Sequence, residues 1–468
     1  MSACSCDGLI ARGRRVDRGV SPCTTVLFAG VKFRASEVAA ATGGRRVGPD
    51  VWFEGASFDS RTLVAGQLFV PVVAQRDGHQ FIRDALASGA SGYLTSASGT
   101  RSMLPDEVAI EVVDTARALT DLASWARGRL TDQVVGITGS VGKTSTKDLV
   151  AAAVGAGRLV WASERSFNND QGVPVTVLAA PEDTEVLVLE MGMRGFGEIT
   201  RLCEVGRPTI GVVTTVGESH TERVGGIEGV ARAKRELVEH LPAGGTAILN
   251  ADDHRVAAMA QHTSAQVITF GFDTSAQVRI SQLELDELAR ARFWIDSPWG
   301  RVQVNLAVSG RHMALNAAGA IAVAGVLGVD LEAAAVGLLT STLSEMRMEM
   351  MRAAGGGLVI NDAYNANPTS MAAAVSALAS VPAARRIAVL GPMAELEDPA
   401  AAHLRVAGLV RAAGIELIAV GTDLYGVDPV EDPVSVVGSI GTDTAVLVKA
   451  SRFAGLERIA RALVAHTA

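Results

Sequence analysis

Residues Val134 to Lys147 read VVGITGSVGKTSTK, in which two β-branched pairs run into a glycine-rich turn ending at Lys143 and Thr144. An apolar helical pattern follows at Leu149, Val150 and Val154. Backbone N–H groups bent around a helix N-terminus make an anion hole, a lysine there adds a point charge, and a threonine hydroxyl can hold a magnesium ion. The string therefore predicts a strand, a phosphate loop and a helix that bind ATP. A strict Walker loop would have glycine where Ile137 stands, so this is a shortened form, made of Thr138, Gly139, Ser140, Val141, Gly142, Lys143, Thr144 and Ser145.

Working outward, Val/Ile/Leu-rich strings recur after the loop: EVLVLEMG, TIGVVTTVG, TAILN and VITFG, with helical segments between most of them. Near-continuous apolar strands joined by helices imply a parallel sheet buried on both faces. Between Ala276 and Val308 the texture changes to antiparallel strands around a Pro-Trp-Gly turn, and a long helix starts near Arg311. A second α/β set follows, in LVINDAY, RIAVLGPM, IELIAVG and AVLVKAS. Ahead of the loop, residues 32–130 read as a compact α/β unit, with a helix at Ala35 to Thr42, a short strand at Leu68-Phe69-Val70 and a helix in FIRDALASGA. The predicted organisation is α/β with three domains, at 32–130, 131–343 and 344–468, the middle one a mostly parallel sheet of P-loop type.

A chain of 468 residues is too long for a single core at ~150 residues per domain. A net charge of −8 with no long basic tract argues against a nucleic-acid binder, and 4% aromatics leave few stacking platforms for bases. Three of the four cysteines lie in the first 23 residues, which is no disulfide framework and points to a reducing cytoplasm. Residues 1–31 are basic but lack the apolar core of a secretory signal, and read as a disordered extension or a start assigned too early. The apolar run Met313 to Val329 contains Asn316 and is too short for a membrane span. With no oligomer signal, monomer is the expectation.

Open α/β sheets hold their ligands just past the carboxyl ends of strands, and several polar residues stand there. Glu190 ends LVLE, where a carboxylate can reach a magnesium beside Thr144, or can be a surface residue in a turn. His220 follows VVTTVGES as a ligand or an ordinary exposed histidine, and Lys234 in GVARAKREL reads, from the residues alone, as a solvated helix-face lysine. Asn361 to Pro368, NDAYNANP, places an acidic residue and three amides in one loop before a helix, to hold either a ligand or the turn itself.

Taken together, TGSVGKTS, FNNDQGVP, LEMGMRGFGEI, GESHTE with GVARAKREL, GRHMALNAAGA, MRME, NDAYNANPTSM and VLGPMAELE resemble the Mur ligase family, ATP-dependent amide-forming enzymes of peptidoglycan precursor synthesis. The resemblance runs from about Phe33 to the C-terminus. NDAYNANPTSM and the first-domain string FDSRTLVAGQLFVPV resemble the branch that adds D-alanyl-D-alanine to UDP-N-acetylmuramoyl-tripeptide, and no Asp-Asn-Pro-Arg string of the diamino-acid-adding branch occurs. The resemblance implies an N-terminal uridine-nucleotide domain and a Rossmann-like C-terminal domain. It implies that Lys143 and Thr144 serve the ATP phosphates, that Thr144 and Glu190 hold one magnesium, and that His220 and a carbamoylated Lys234 serve a second. Asn316 would face adenine, and Arg347 and Asp362 ribose and phosphates. Ser60 and Arg61 would meet the uridine nucleotide, and Asn168 and Asn169 the muramoyl peptide. Asn365, Asn367, Lys449 and Arg452 would lie on the substrate side, the last two near the dipeptide. The chain departs from the family pattern at Arg165-Ser166, usually Gly-Asn, at Met346, commonly glycine, at Pro392, usually aspartate, and at Ala450, usually glycine. Another ligase of the superfamily, such as a folylpolyglutamate-type synthetase, and a non-catalytic ATP-driven switch are the rival readings.

Overall fold

The computed structural model describes residues 30–73, 76–96 and 106–466. The three N-terminal cysteines and nearly all of the expected extension lie outside the described residues. Gly30 and Val31 are buried, and the Val31 N–H donates to the Leu178 carbonyl at 3.1 Å, so the folded body includes two residues assigned to the extension.

The chain forms two compact units. One comprises residues up to Gly136, Gly155–Glu190 and Arg201–Pro208; the other comprises Ile137–Val154, Met191–Thr200 and everything from Thr209. In the first unit, strands Ala56–Ser57, Leu68–Phe69, Gly92–Thr95 and Ala109–Glu111 run parallel side by side, and Arg45–Val47 closes the edge antiparallel. Phe69, Ile82, Ala85, Tyr93 and Ala109 fill the core beneath this sheet. Helix Thr115–Ala126 begins where the Asp114 side chain accepts from the Ala116 and Arg117 N–H groups, satisfying two donors that a helix start leaves open. The parallel pair Val160–Ala162 and Val186–Glu190 also belongs to this unit, and the second of these strands is buried throughout.

In the second unit, strands Ile210–Val213, Thr246–Asn250 and Gln266–Gly271 run parallel in sequence order. Val278–Leu285, Arg290–Ser297 and Gly300–Ser309 continue the sheet as the expected antiparallel meander. Helix Arg311–Val326 packs on these strands, buried for most of its length as its Ala/Gly-rich sequence requires. A separate five-stranded sheet follows in the order Glu349–Arg352, Leu358–Asn361, Thr444–Lys449, Arg385–Leu390, Glu416–Ala419. It is parallel except for its first strand, which sequence reading missed because EMMR has neither alternation nor a β-branched residue. Among the described residues no helix is long and apolar enough to cross a membrane.

Candidate active site

The phosphate loop leaves strand Val134–Thr138 and enters helix Lys143–Gly155. Its first amides are fixed by the neighbouring strand end: Ser140 N–H donates to the Thr215 carbonyl at 2.8 Å and Val141 N–H to Thr215 Oγ1 at 3.2 Å. The Thr214 hydroxyl donates to the Val141 carbonyl at 2.6 Å. Two glycines are obligatory here. A Cβ on Gly139 would fall 1.8 Å from Thr214 Oγ1, and one on Gly142, at φ +86°, would fall 2.7 Å from Asn316 Oδ1. Asn316 thus lies against the loop, from the buried face of its helix. The Lys143 ammonium donates to the Gly139 carbonyl at 2.6 Å, curled over the loop's mouth.

Arg347 comes to this loop from the segment before the last sheet. Its Nη2 donates to the Thr144 hydroxyl at 3.1 Å, and its guanidinium lies 4.1 Å from the centre of the Tyr364 ring. Met346 and Met348 on either side have φ of +57° and +50°, a conformation costly for side-chain-bearing residues. Met346 stands where the family pattern favours glycine, and Arg165, in another such place, has φ +49°. Both departures from glycine therefore keep a left-handed backbone. The Met348 N–H donates to Asp362 Oδ1 at 3.1 Å, and Asp362 Oδ2 lies 2.6 Å from the buried Lys449 ammonium. Burial pushes the Lys449 pKa down, and the Asp362 carboxylate opposes this.

His220 follows strand Ile210–Val213 at φ +56° and immediately precedes the short helix Thr221–Val224. Its Nδ1 lies 2.6 Å from Glu395 Oε2, and Glu395 itself has φ +59°. The histidine holds the Glu395 carboxyl below its usual range. Lys234, in helix Gly226–Glu239, is not a solvated lysine: it is 2% exposed, and no described residue gives it a hydrogen bond or counter-ion. Burial drives its pKa well below the ordinary value, with the Lys143 charge adding to the effect.

In the first unit Glu190 is 1% exposed; Oε1 accepts from Asn168 Nδ2 at 2.7 Å, while the buried Oε2 has no partner. Such an orphaned carboxylate oxygen fits a hard cation. Among the described residues no three His, Cys, Asp or Glu side chains cluster as a metal cage. Asn169 Oδ1 accepts from the Gly172 N–H at 2.8 Å, at the start of helix Gly172–Ala179. The Arg61 side chain forms a two-bond fork with its neighbour Asp59, and Ser60 between them is half-buried.

The NDAYNANP loop largely holds itself together. Asn361 Nδ2 donates to Glu349, Asn365 Oδ1 accepts from the Ala366 N–H, and Asn367 caps helix Pro368–Ser380 by accepting from the Ser370 N–H. Arg452 reaches Met346 Sδ at 3.4 Å and Glu457 at 2.8 Å. The structure thus brings Lys143, Thr144, Asn316, Arg347, Asp362 and Lys449 together. It gives Asn169 and Asn367 to helix starts. Sequence reading assigned no role to Tyr364, Glu395 or Thr214, although the first two stand in the quoted loops after strand ends.

Comparison with known proteins agrees with this geometry. The family described as Mur ligase middle domain matches residues 137–324, and the one described as Mur ligase, glutamate ligase domain matches residues 346–465. The UDP-N-acetylmuramoyl-tripeptide–D-alanyl-D-alanine ligase of Mycobacterium tuberculosis is 41% identical over 394 residues, 78% of this chain and 77% of its own length. The Escherichia coli protein of the same name is 32% identical, covering 92% and 97%. A crystal structure of MurF from Acinetobacter baumannii superposes with a TM-score of 0.80 at 27% identity, over 93% of this chain and 99% of that one. With a phosphate loop, an opposing arginine and these matches over both halves, the chain belongs to the Mur ligase family.

Proposed function

We propose that this chain joins D-alanyl-D-alanine to UDP-N-acetylmuramoyl-tripeptide, driven by ATP, in peptidoglycan precursor synthesis. The observation that carries this is the run of relatives bearing that activity's name, 30 to 41% identical and matched over most of their length. The loop supplies the chemistry. The tripeptide carboxylate attacks the γ-phosphate of ATP, the bond to the bridging oxygen breaks and ADP leaves, while Lys143 and the loop amides stabilise the charge spread over the transferring group. The resulting acyl phosphate is attacked by the dipeptide amine; a tetrahedral intermediate collapses to the amide and phosphate leaves. Arg347 has the reach and charge to hold phosphate oxygens beside Thr144, with Asn316 toward adenine and Asp362 toward the ribose side.

Magnesium, when bound, would neutralise phosphate charge, with Thr144 and Glu190 for one ion and His220 and Lys234 for a second. Lys234 suits this only as a carbamate, and its burial supports one: a lysine held neutral is the nucleophile that captures carbon dioxide. On the substrate side we assign Ser60 and Arg61 to the uridine nucleotide and Asn168 to the muramoyl peptide. Asn169, Asn365 and Asn367 act through the loops they shape, and Arg452 stays near the dipeptide. A first domain that begins by Gly30, further boundaries at 131 and 344, a cytoplasmic location and a monomer complete the reading.

Phosphate release from ATP with UDP-muramoyl-tripeptide, with and without D-alanyl-D-alanine, tests it. Release that depends on the dipeptide and vanishes in Lys143→Ala is expected. Acceptor-independent hydrolysis, or amide formation with glutamate instead, would overturn it.

A further inference from the structure

The resemblance puts Lys449 beside the incoming dipeptide, but its surroundings are those of a strut. Lys449 ends strand Thr444–Lys449, and Asp362 follows the adjacent parallel strand Leu358–Asn361, in register Asn361 to Val448. The two side chains therefore emerge next to each other from the carboxyl end of the sheet. Lys449 is 2% exposed. Its ammonium donates to Asp362 Oδ2 at 2.6 Å, the Asn365 carbonyl at 2.7 Å and the Asp362 carbonyl at 3.4 Å. Two short bonds and one longer contact, all to groups of the Asp362–Asn365 loop, thus take up the ammonium. The other oxygen of Asp362 takes the Met348 N–H, and Met348 is one of the two left-handed residues that flank Arg347. A strained backbone persists only where its surroundings over-determine it, and this bond joins that backbone to the strut.

We propose that Lys449 is a positioning residue for the nucleotide end of the site: through Asp362 it pins the Met346–Met348 turn and so aims Arg347 at Thr144 and the ATP phosphates. Lys449 acts on ATP and not on the dipeptide. This rests on the reading of Arg347 as phosphate-facing, and the experiment separates the two.

ADP affinity of the full chain is measured by calorimetry, beside the KM for each substrate, in Lys449→Met, Arg347→Met and the double variant. Lys449→Met is expected to weaken ADP about tenfold, the size of one charge-assisted contact, with the dipeptide KM within about twofold of wild type. In the Arg347→Met background the same change is expected to have almost no further effect, because the strut has nothing left to aim. A raised dipeptide KM with unchanged ADP affinity would overturn the proposal in favour of direct substrate contact. Independent, multiplying effects of the two substitutions would overturn it as well. If Arg347→Met leaves ADP binding untouched, the phosphate-facing reading itself has failed, whatever Lys449 does.

Lys449→Met leaves a buried carboxylate unpaired and can fail to fold, so an apolar pair, Lys449→Met with Asp362→Leu, serves as the second variant. It is expected to lose at least as much ADP affinity as Lys449→Met, because it also removes the acceptor for the Met348 N–H. Lys449→Met with Asp362→Asn keeps an acceptor for the Met348 N–H and is expected to bind ADP more tightly than the apolar pair. Equal affinities in those two pairs would remove the Met348 link.

Discussion

Replacing Lys234 by methionine should separate stability from catalysis. The lysine is fully buried without a counter-ion, so the fold opposes its charge, while the unfolded chain takes up the proton near the ordinary value of 10.5. Between the lowered folded pKa and 10.5 the unfolded state holds one more proton than the folded state, and stability therefore rises with pH across that window. The slope for one proton is about 1.4 kcal/mol per pH unit. As the pH rises through that window the wild type should therefore gain stability on Lys234→Met, and its Tm should climb relative to the variant's. Thermal melts of both proteins in carbon-dioxide-depleted buffer across that range provide the assay. The variant should melt higher than wild type at pH 8 and lose that lead as the pH rises, yet have almost no ligase activity. Short carboxylates should restore part of the activity by standing in for the carbamate. Parallel melting curves from pH 8 to pH 10 would refute the assignment of a neutral, unpaired amine.

Gly139→Ala forces a methyl group into Thr214 Oγ1, which is already bonded to the loop, so the loop must move; kcat/KM should fall about a hundredfold while the melt changes little. Tyr364→Leu takes away the ring beneath Arg347 and should raise the ATP KM about fivefold, for a cation–π contact of about 1 kcal/mol, leaving the dipeptide KM alone. Arg165→Gly removes a left-handed, exposed arginine; relief of about 1–2 kcal/mol against the entropy of a new glycine leaves a gain of about 0.5–1 kcal/mol, readable as a higher Tm of the first unit.

The strand–loop–helix at Val134 was legible because each of its signals is local: a β-branched run, glycines at the bends and a helical apolar pattern. Most of the last sheet was legible for the same reason, because strands Leu358–Asn361, Arg385–Leu390 and Thr444–Lys449 each carry a run of three or four apolar residues, which its first strand, EMMR, lacks. Roles set by a distant partner were not. Nothing in AELE says that Glu395 meets His220, and nothing in VLVKAS says that Lys449 faces Asp362, because those meetings depend on strand order rather than on spacing. The asparagines show a subtler failure. An amide before a helix serves equally well as a cap or as a ligand contact, and at Asn169 and Asn367 the backbone N–H groups were the nearer demand. Lys234 was misread from its amphipathic helix alone, and only the resemblance drew it into the site.

His220, Met346, Met348 and Glu395 all hold left-handed backbones without being glycine. A stability screen of this protein would therefore favour glycine at these four positions. Two of them flank the arginine that meets the loop, and the other two bring a histidine and a glutamate together. Selection by melting temperature would loosen both pairs at once, and the best-ranked variants would hold their side chains least firmly in the poses that ligation uses. Engineering of this enzyme should rank variants at those positions by turnover.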